Sequence, residues 1–159
     1  MPKLRTWDIV EDPVIVGDNG ICLVLRLSAS HAAKLHLENP PSRMSLRSLE
    51  EECSIAKGLY DSGVSVPKPL GVFQVSVDLG SVSYRNHPAF VMEYVPGRTL
   101  NGLSPETQET AKALRDAEIA KAREAGFVPG DYSWEGNTIW SPQRQRAYLI
   151  DFETWKKAI

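Results

Sequence analysis

Lys34 sits in an apolar stretch that reads as a strand, and three consecutive glutamates, Glu50, Glu51 and Glu52, sit in a helical one. Asp131 and Asn137 share a glycine-containing loop, and Asp151 ends an apolar run as Leu149-Ile150-Asp151-Phe152-Glu153. An ammonium group is a phosphate contact, and carboxylate and amide oxygens suit hard divalent cations. Taken singly, Asp131 and Asn137 read better as turn formers, Asp151 as a capping group and the glutamate run as a solvated face. Their occurrence together, in this order, is what points to chemistry. Other candidates are weaker. His31 and His36 fall at an odd separation on one strand and so face opposite sides, which with the isolated His87 makes a zinc site an unexpected reading. Cys22 and Cys53 lack the paired spacing of zinc ligands and are too few for a disulfide framework, so both are expected as buried thiols of a reducing, cytoplasmic protein. Trp134, Trp140 and Trp155 fall together in the tail and are expected in the core.

Positioning these residues takes a sheet, two helices and a loop with a hairpin. With 159 residues, 42% of them hydrophobic and 24% charged, the chain can bury one core, and a single domain over 1–159 is expected. Its net charge of -2 argues against broad capture of nucleic acid. The N-terminus, from Met1 to Asp8, has no apolar run behind its basic residues and is not read as a signal peptide, and no stretch is long enough to span a membrane. Val14 to Val16 is predicted as a strand, Gly17-Asp18-Asn19-Gly20 as a turn, and Ile21 to Leu27 and His31 to Leu37 as two more strands. Asn39-Pro40-Pro41-Ser42 breaks the chain. Ser45 then opens a helix carrying Leu46, Leu49, Cys53, Ala56 and Tyr60 at three-four spacing, which Gly63 ends. Val64 to Val75, with Pro67 and Pro69, reads as an extended connection, followed by a hairpin at Leu79-Gly80 and a strand over Ala89 to Val95. Ser104 caps a second helix with Pro105 at its first position, and Gly126 stops it. Its many alanines predict a thin packing face. Residues 127–137 read as loop, and Thr138 to Trp140 with Tyr148 to Ile150 as a hairpin.

A lysine on the third strand, an acid on the next helix, an Asp then an Asn in a loop, and Asp-Phe after a hairpin resemble the protein-kinase-like superfamily. The resemblance runs from about Val14 to Trp155. It implies an α+β, minimal kinase-like fold: an N-lobe of antiparallel sheet with one helix and a hinge over about 1–95, and a strongly truncated C-lobe over about 96–159. It implies ATP and Mg²⁺ as cofactors. Asp151 and Asn137 would then be the metal ligands, and Asp131 would sit beside the acceptor hydroxyl as positioner or base. Ala32-Ala33-Lys34 resembles the lysine that contacts the α and β phosphates, held by a carboxylate. Of the three candidate carboxylates, Glu52 lies nearest the edge of the apolar stripe at about 100° per residue and Glu51 points away from it, so Glu52 is the choice. Phe90 to Gly97 resembles the hinge, which implies adenine contacts at Glu93 and Val95 with Met92 behind them, while Gly17 and Gly20 would lie over the phosphates. The segment Glu52 to Pro67 looks like the RIO-type kinases and the kinase subunit of the KEOPS complex. Asp151-Phe152-Glu153 and Gly136-Asn137 look like the aminoglycoside and choline phosphotransferases.

Departures from that pattern bear on function. The turn over the phosphates holds two glycines rather than three, no histidine precedes Asp131, and the interval from Asp131 to Asn137 is one residue longer than in the kinase catalytic loop. No activation segment or peptide-docking lobe is expected after Asp151. The leading expectation is an ATP- and Mg²⁺-dependent phosphotransferase, an atypical small kinase whose acceptor is not legible. The alternatives are a nucleotide-binding pseudokinase and a regulatory ATPase for which a partner protein supplies the substrate surface.

Overall fold

The computed structural model describes residues 4–38 and 40–158; Asn39, where the predicted break begins, and Met1 to Lys3 of the predicted leaderless start lie outside the described residues. The chain is α+β and divides into two compact units, residues 1–53 with 69–94, and residues 54–68 with 95–159.

The first unit is a five-stranded antiparallel sheet. Its strands are β1 (Val14–Asp18), β2 (Cys22–Arg26), β3 (His31–His36), β4 (Pro69–Asp78) and β5 (Ser83–Glu93), in the order β1-β2-β3-β5-β4. One face carries the core: Leu23, Leu25, Leu27, Ala33, Leu35, Phe73, Val75, Val77, Ala89 and Val91 are all buried. Two expectations are corrected here. The predicted connection over 64–75 becomes strand from Pro69 onward, because Gly71, Phe73, Val75 and Val77 alternate with less buried residues as a half-buried strand requires. Pro69 is tolerated as the first residue of a strand at the end of the sheet, where its missing N–H costs little. The other correction concerns β1, which continues through Asp18, so Gly17 lies within the strand opposite Val24 rather than in the turn. The turn itself is narrower: Asn19 Oδ1 accepts from the amides of Ile21 and Cys22 at 2.9 and 2.7 Å, and Asp18 Oδ1 from Gly20 at 2.9 Å.

Helix α1 (Arg43–Asp61) starts two residues before the predicted Ser45. Ser42 and Ser45 cap it reciprocally, each amide donating to the other's hydroxyl oxygen at 3.1 Å, which leaves Ser45 inside the first turn. Its buried stripe runs through Leu49, Glu52, Cys53, Ala56 and Leu59; Tyr60, expected on it, is exposed.

The second unit takes the last residues of α1, then β6 (Arg98–Thr99), α2 (Pro105–Glu124), β7 (Phe127–Val128), β8 (Thr138–Ser141), β9 (Arg146–Leu149) and β10 (Lys156–Lys157). β6, β8 and β9 form one small sheet, and β7 pairs with β10. Residues 127–137 are thus not all loop: β7 is created by a strand almost thirty residues on, which no local pattern announces. Ser104 Oγ accepts from the Thr107 amide, with Pro105 at the first position, as the capping pattern requires. The packing face of α2 is not an alanine strip, since Arg115, Glu118 and Ile119 are buried with Ala111 and Ala122 while Ala113, Ala117 and Ala120 are exposed. Glu118 joins the segment after α1 to α2: its Oε1 accepts from the Ser65 amide at 2.6 Å, and the Ser65 carbonyl accepts from Leu149 at 2.9 Å. Burial pushes the Glu118 carboxyl up, but hydrogen bonds from Lys121 and Ser65 outweigh it and hold its pKa below the usual value.

Candidate functional site

Lys34 lies mid-strand in β3, with Val24 of β2 and Phe90 of β5 as its register partners. Its neighbours Ala33 and Leu35 point into the core, so strand alternation sends Lys34 to the other face. There its Nζ meets Glu52 Oε1 at 2.9 Å, with the two side chains only 8% and 3% exposed. The other two glutamates are exposed, and Glu51 makes a surface pair with Arg47 at 3.3 Å. Helical phase explains the difference, since Glu52 sits on the buried stripe between Leu49 and Cys53. Taking an ammonium and a carboxylate out of water together is costly, and an apolar pair of similar volume is often as stable. This ion pair is therefore poorly explained by stability alone.

The other residues of the first unit named for nucleotide are spread along its sheet. Gly20 occupies the turn after β1 with φ of 83°. Met92 and Glu93 end β5 opposite Ala32 and His31. Tyr94 follows, its amide donating to Ser30 O at 2.8 Å and its ring lying under the Arg26 guanidinium at 4.2 Å. Val95 is buried and belongs to the second unit.

Asp131, Asn137 and Asp151 are joined through the backbone. The Asp131 carbonyl accepts from Asn137 Nδ2 at 2.6 Å, and the Asn137 carbonyl accepts from the Ile150 amide at 3.1 Å. The Asp131 amide donates to Thr154 Oγ1 at 2.9 Å, so both ends of the loop are pinned to the segment that carries Asp151. Gly130 makes this possible: a Cβ there would run into the Thr154 side chain and backbone. Asn137 is buried and spends its amide nitrogen on the loop, which turns its Oδ1 into the atom suited to a cation. Asp131 keeps its side chain exposed, next to that anchored backbone. Asp151 has φ of 64°, a left-handed conformation that a non-glycine residue adopts at a cost of about 1 kcal/mol or more. Past it, Phe152 is buried and packs edge-on against Trp155 with ring centroids 5.4 Å apart. One carboxylate and one amide oxygen fit Mg²⁺, which prefers few protein ligands and completes its shell with water and phosphate.

Of the tail tryptophans, Trp140 and Trp155 are buried as expected, but Trp134 is 58% exposed. It stays beside its own loop instead of entering the core, and a Cβ on Gly136 would meet its ring at 2.8 Å. The histidines are engaged in the sheet: His31 Nδ1 lies 3.0 Å from Ser28 Oγ, and His87 Nε2 donates to His36 O at 2.8 Å.

No protein-family model matches the chain, and no curated protein matches it. Solved structures do. A crystal structure of an Stt7 homolog from Micromonas algae, soaked with ATP, matches with a TM-score of 0.71 over 98% of this chain and 54% of that one, at 15% identity. The Rio2 kinase–ADP/Mg²⁺–phosphoaspartate complex from Chaetomium thermophilum matches with a TM-score of 0.59 over 97% of this chain and 49% of that one, at 17% identity.

The chain has a protein-kinase-like fold.

Its likeness to Rio2, like that to the Stt7 homolog, is one of fold. The chain spans about half the length of each of these two structures. Within the kinase-like fold, sequence reasoning missed Thr154, which anchors Asp131, and the basic residues of α2 beside the loop. Lys112 pairs with Glu135 at 3.1 Å, and Arg115 and Arg123 lie 6.0 and 5.9 Å from the centre of the Tyr132 ring. A single threonine two residues past Phe152 carries no signal of such a role. The basic residues share one helical face, and that much was visible.

Proposed function

We propose that this chain is an ATP- and Mg²⁺-dependent phosphotransferase of the small atypical kinase type. The observation that carries the reading is the buried Lys34–Glu52 pair on the face of the sheet opposite its core. Glu52 holds the Lys34 ammonium extended toward the phosphates, and Gly20 and the turn beside it, the end of β5 at Met92 and Glu93, and Val95 bind the rest of the nucleotide. Asp151 and Asn137 would hold Mg²⁺, whose charge offsets that of the phosphate oxygens. Asp131, exposed on an anchored backbone, positions the acceptor hydroxyl and takes its proton. Support also comes from the structural neighbours, one soaked with ATP and the other in complex with ADP and Mg²⁺. We further propose that residues 1–95 and 96–159 act as N-lobe and C-lobe of one catalytic domain, and that it works in the cytoplasm, where two buried thiols persist.

A second reading is nucleotide binding without transfer, or ATP hydrolysis with a partner protein supplying the acceptor surface. The narrow turn favours it, since Gly17 is committed to β1 and fewer backbone amides are left to face phosphate. Among the described residues no helix is long and apolar enough to cross a membrane, so neither reading calls on one. The test is thermal unfolding with ATP and Mg²⁺, followed by ADP release with and without hydroxylated acceptors. Ligand at 100 times its Kd should stabilise the protein by about 2.7 kcal/mol. No shift at millimolar nucleotide, with Mg²⁺ or Mn²⁺, overturns both readings; a shift without acceptor-dependent ADP selects the second.

A further inference from the structure

Asp131 follows Pro129 and Gly130, neither of which has a side chain that could hydrogen-bond to the loop. The loop nevertheless keeps a definite course, and α2 runs beside it with three cations at Lys112, Arg115 and Arg123. At about 100° per residue these three fall within about 80° of arc, so they form one face. Lys112 grips the loop at Glu135, with the two side chains 38% and 37% exposed. Arg115 and Arg123 lie at the Tyr132 ring, one residue from Asp131, at the outer range of a cation–π contact.

Arg115 is the unusual member. Its side chain is only 10% exposed, its Nε donates to the exposed Asp116 at 3.1 Å, and its buried Nη1 has no hydrogen-bond partner among the described residues. A buried guanidinium with an unmade bond is costly, and a methionine or leucine there would pack α2 at less expense. What a cation adds at this position is its attraction for the Tyr132 ring.

We propose that the cationic face of α2 is the clamp that orients the Asp131–Asn137 loop, with Arg115 as its central positioning residue. This rests on the reading of Asp131 as the residue beside the acceptor. Lys112 fixes the far end of the loop through Glu135 and Arg115 fixes the near end through Tyr132, while Thr154 and Asn137 hold the backbone between them. At its near end, beside Asp131, the clamp therefore acts on the chemical step; at its far end it also bears on Asn137 and, through Mg²⁺, on nucleotide affinity.

The experiment uses the full chain and two readouts: steady-state ADP release with Mg²⁺-ATP, and hydrogen exchange of the Asp131 and Asn137 amides, which donate to Thr154 Oγ1 and Trp134 O. Arg115→Met should lower kcat roughly 10-fold with KM for ATP unchanged within about twofold, and Arg115→Lys should recover most of it. Because Arg115 is buried and its replacement changes packing as well as charge, the half-exposed ion pair supplies a second test. Lys112→Glu and Glu135→Lys should each speed exchange at Asn137 and lower kcat, and the double variant should restore both. Unchanged exchange and kcat in the single variants, or a double variant no better than either, overturns the clamp. If the wild type shows no turnover, the phosphotransferase reading fails, and exchange in the charge-reversal set still decides whether α2 orders the loop.

Discussion

At the scale of single residues, Lys34 and Glu52 separate what the fold needs from what the function needs. Each shields the other's buried charge, so removing one takes away a buried counter-charge. We expect Lys34→Met and Glu52→Leu each to lower unfolding free energy in urea by about 3–5 kcal/mol, the usual cost of breaking a buried pair. The double variant should recover most of that loss, since an apolar pair fits such a site. It should not recover the stabilisation by Mg²⁺-ATP. A double variant that still binds nucleotide like the wild type would remove the pair from the binding site. Glu52 was legible in the sequence because a helical stripe can be counted along one segment. Thr154 and Tyr132 were not, because their importance comes from contacts with residues far along the chain or on another helix.

At the scale of elements, local chemistry settled the ends of both helices closely, and long-range pairing settled the strands. Ser104 with Pro105 marked the start of α2, but β4 was read as a connection because Pro67 just before it and Pro69 at its start outweighed an alternation that only the finished sheet makes plain. Proline shapes β5 as well. Continuing the β3–β5 register beyond Lys34↔Phe90 brings Pro88, which has no N–H, opposite His36. The His87 imidazole donates to the His36 carbonyl there at 2.8 Å, a strand-to-strand bond made by a side chain. Burial depresses the His87 pKa below its ordinary 6.5, partly opposed by that bond. The unfolded chain therefore takes up the proton first. Above pH 6.5 both states are neutral and the group is silent; as pH falls below 6.5 the unfolded state gains protons and stability drops, down to the folded pKa. His87→Gln keeps a donor without titrating, so its unfolding free energy should fall less than the wild type's between about pH 7.5 and 5.5. Parallel curves for the two proteins would show that His87 does not carry the dependence.

At the scale of the whole molecule, the residues proposed for the chemistry fall in both units. The lysine and its carboxylate belong to the first unit, and Asp131, Asn137 and Asp151 to the second. The order of these residues along the chain was legible, because the kinase-like pattern is one of sequence order; the anchoring of the loop, on which catalysis would depend, was not. A nucleotide that needs both sets should lose affinity when either is damaged, so Lys34→Met and Asp151→Ala should each weaken the thermal shift by Mg²⁺-ATP. Asp131 stands apart. Its backbone is held by Thr154 and Asn137 whatever its side chain, and the side chain is exposed, so Asp131→Ala should fold and bind nucleotide nearly as the wild type does. Its turnover should fall by roughly 10²-fold or more, the scale of a positioned acid–base group. Asp151→Ala should abolish turnover and weaken metal–nucleotide binding together, because the carboxylate it removes is the one proposed to hold the ion. The substitution also leaves alanine at φ of 64°, so its stability without nucleotide must be measured first and Asp151→Asn, better suited to that backbone, run beside it. Equal rates of ADP release from the wild type and Asp131→Ala, with proteins and small alcohols tried as acceptors, would assign no catalytic part to Asp131 and leave nucleotide binding as the function of the chain.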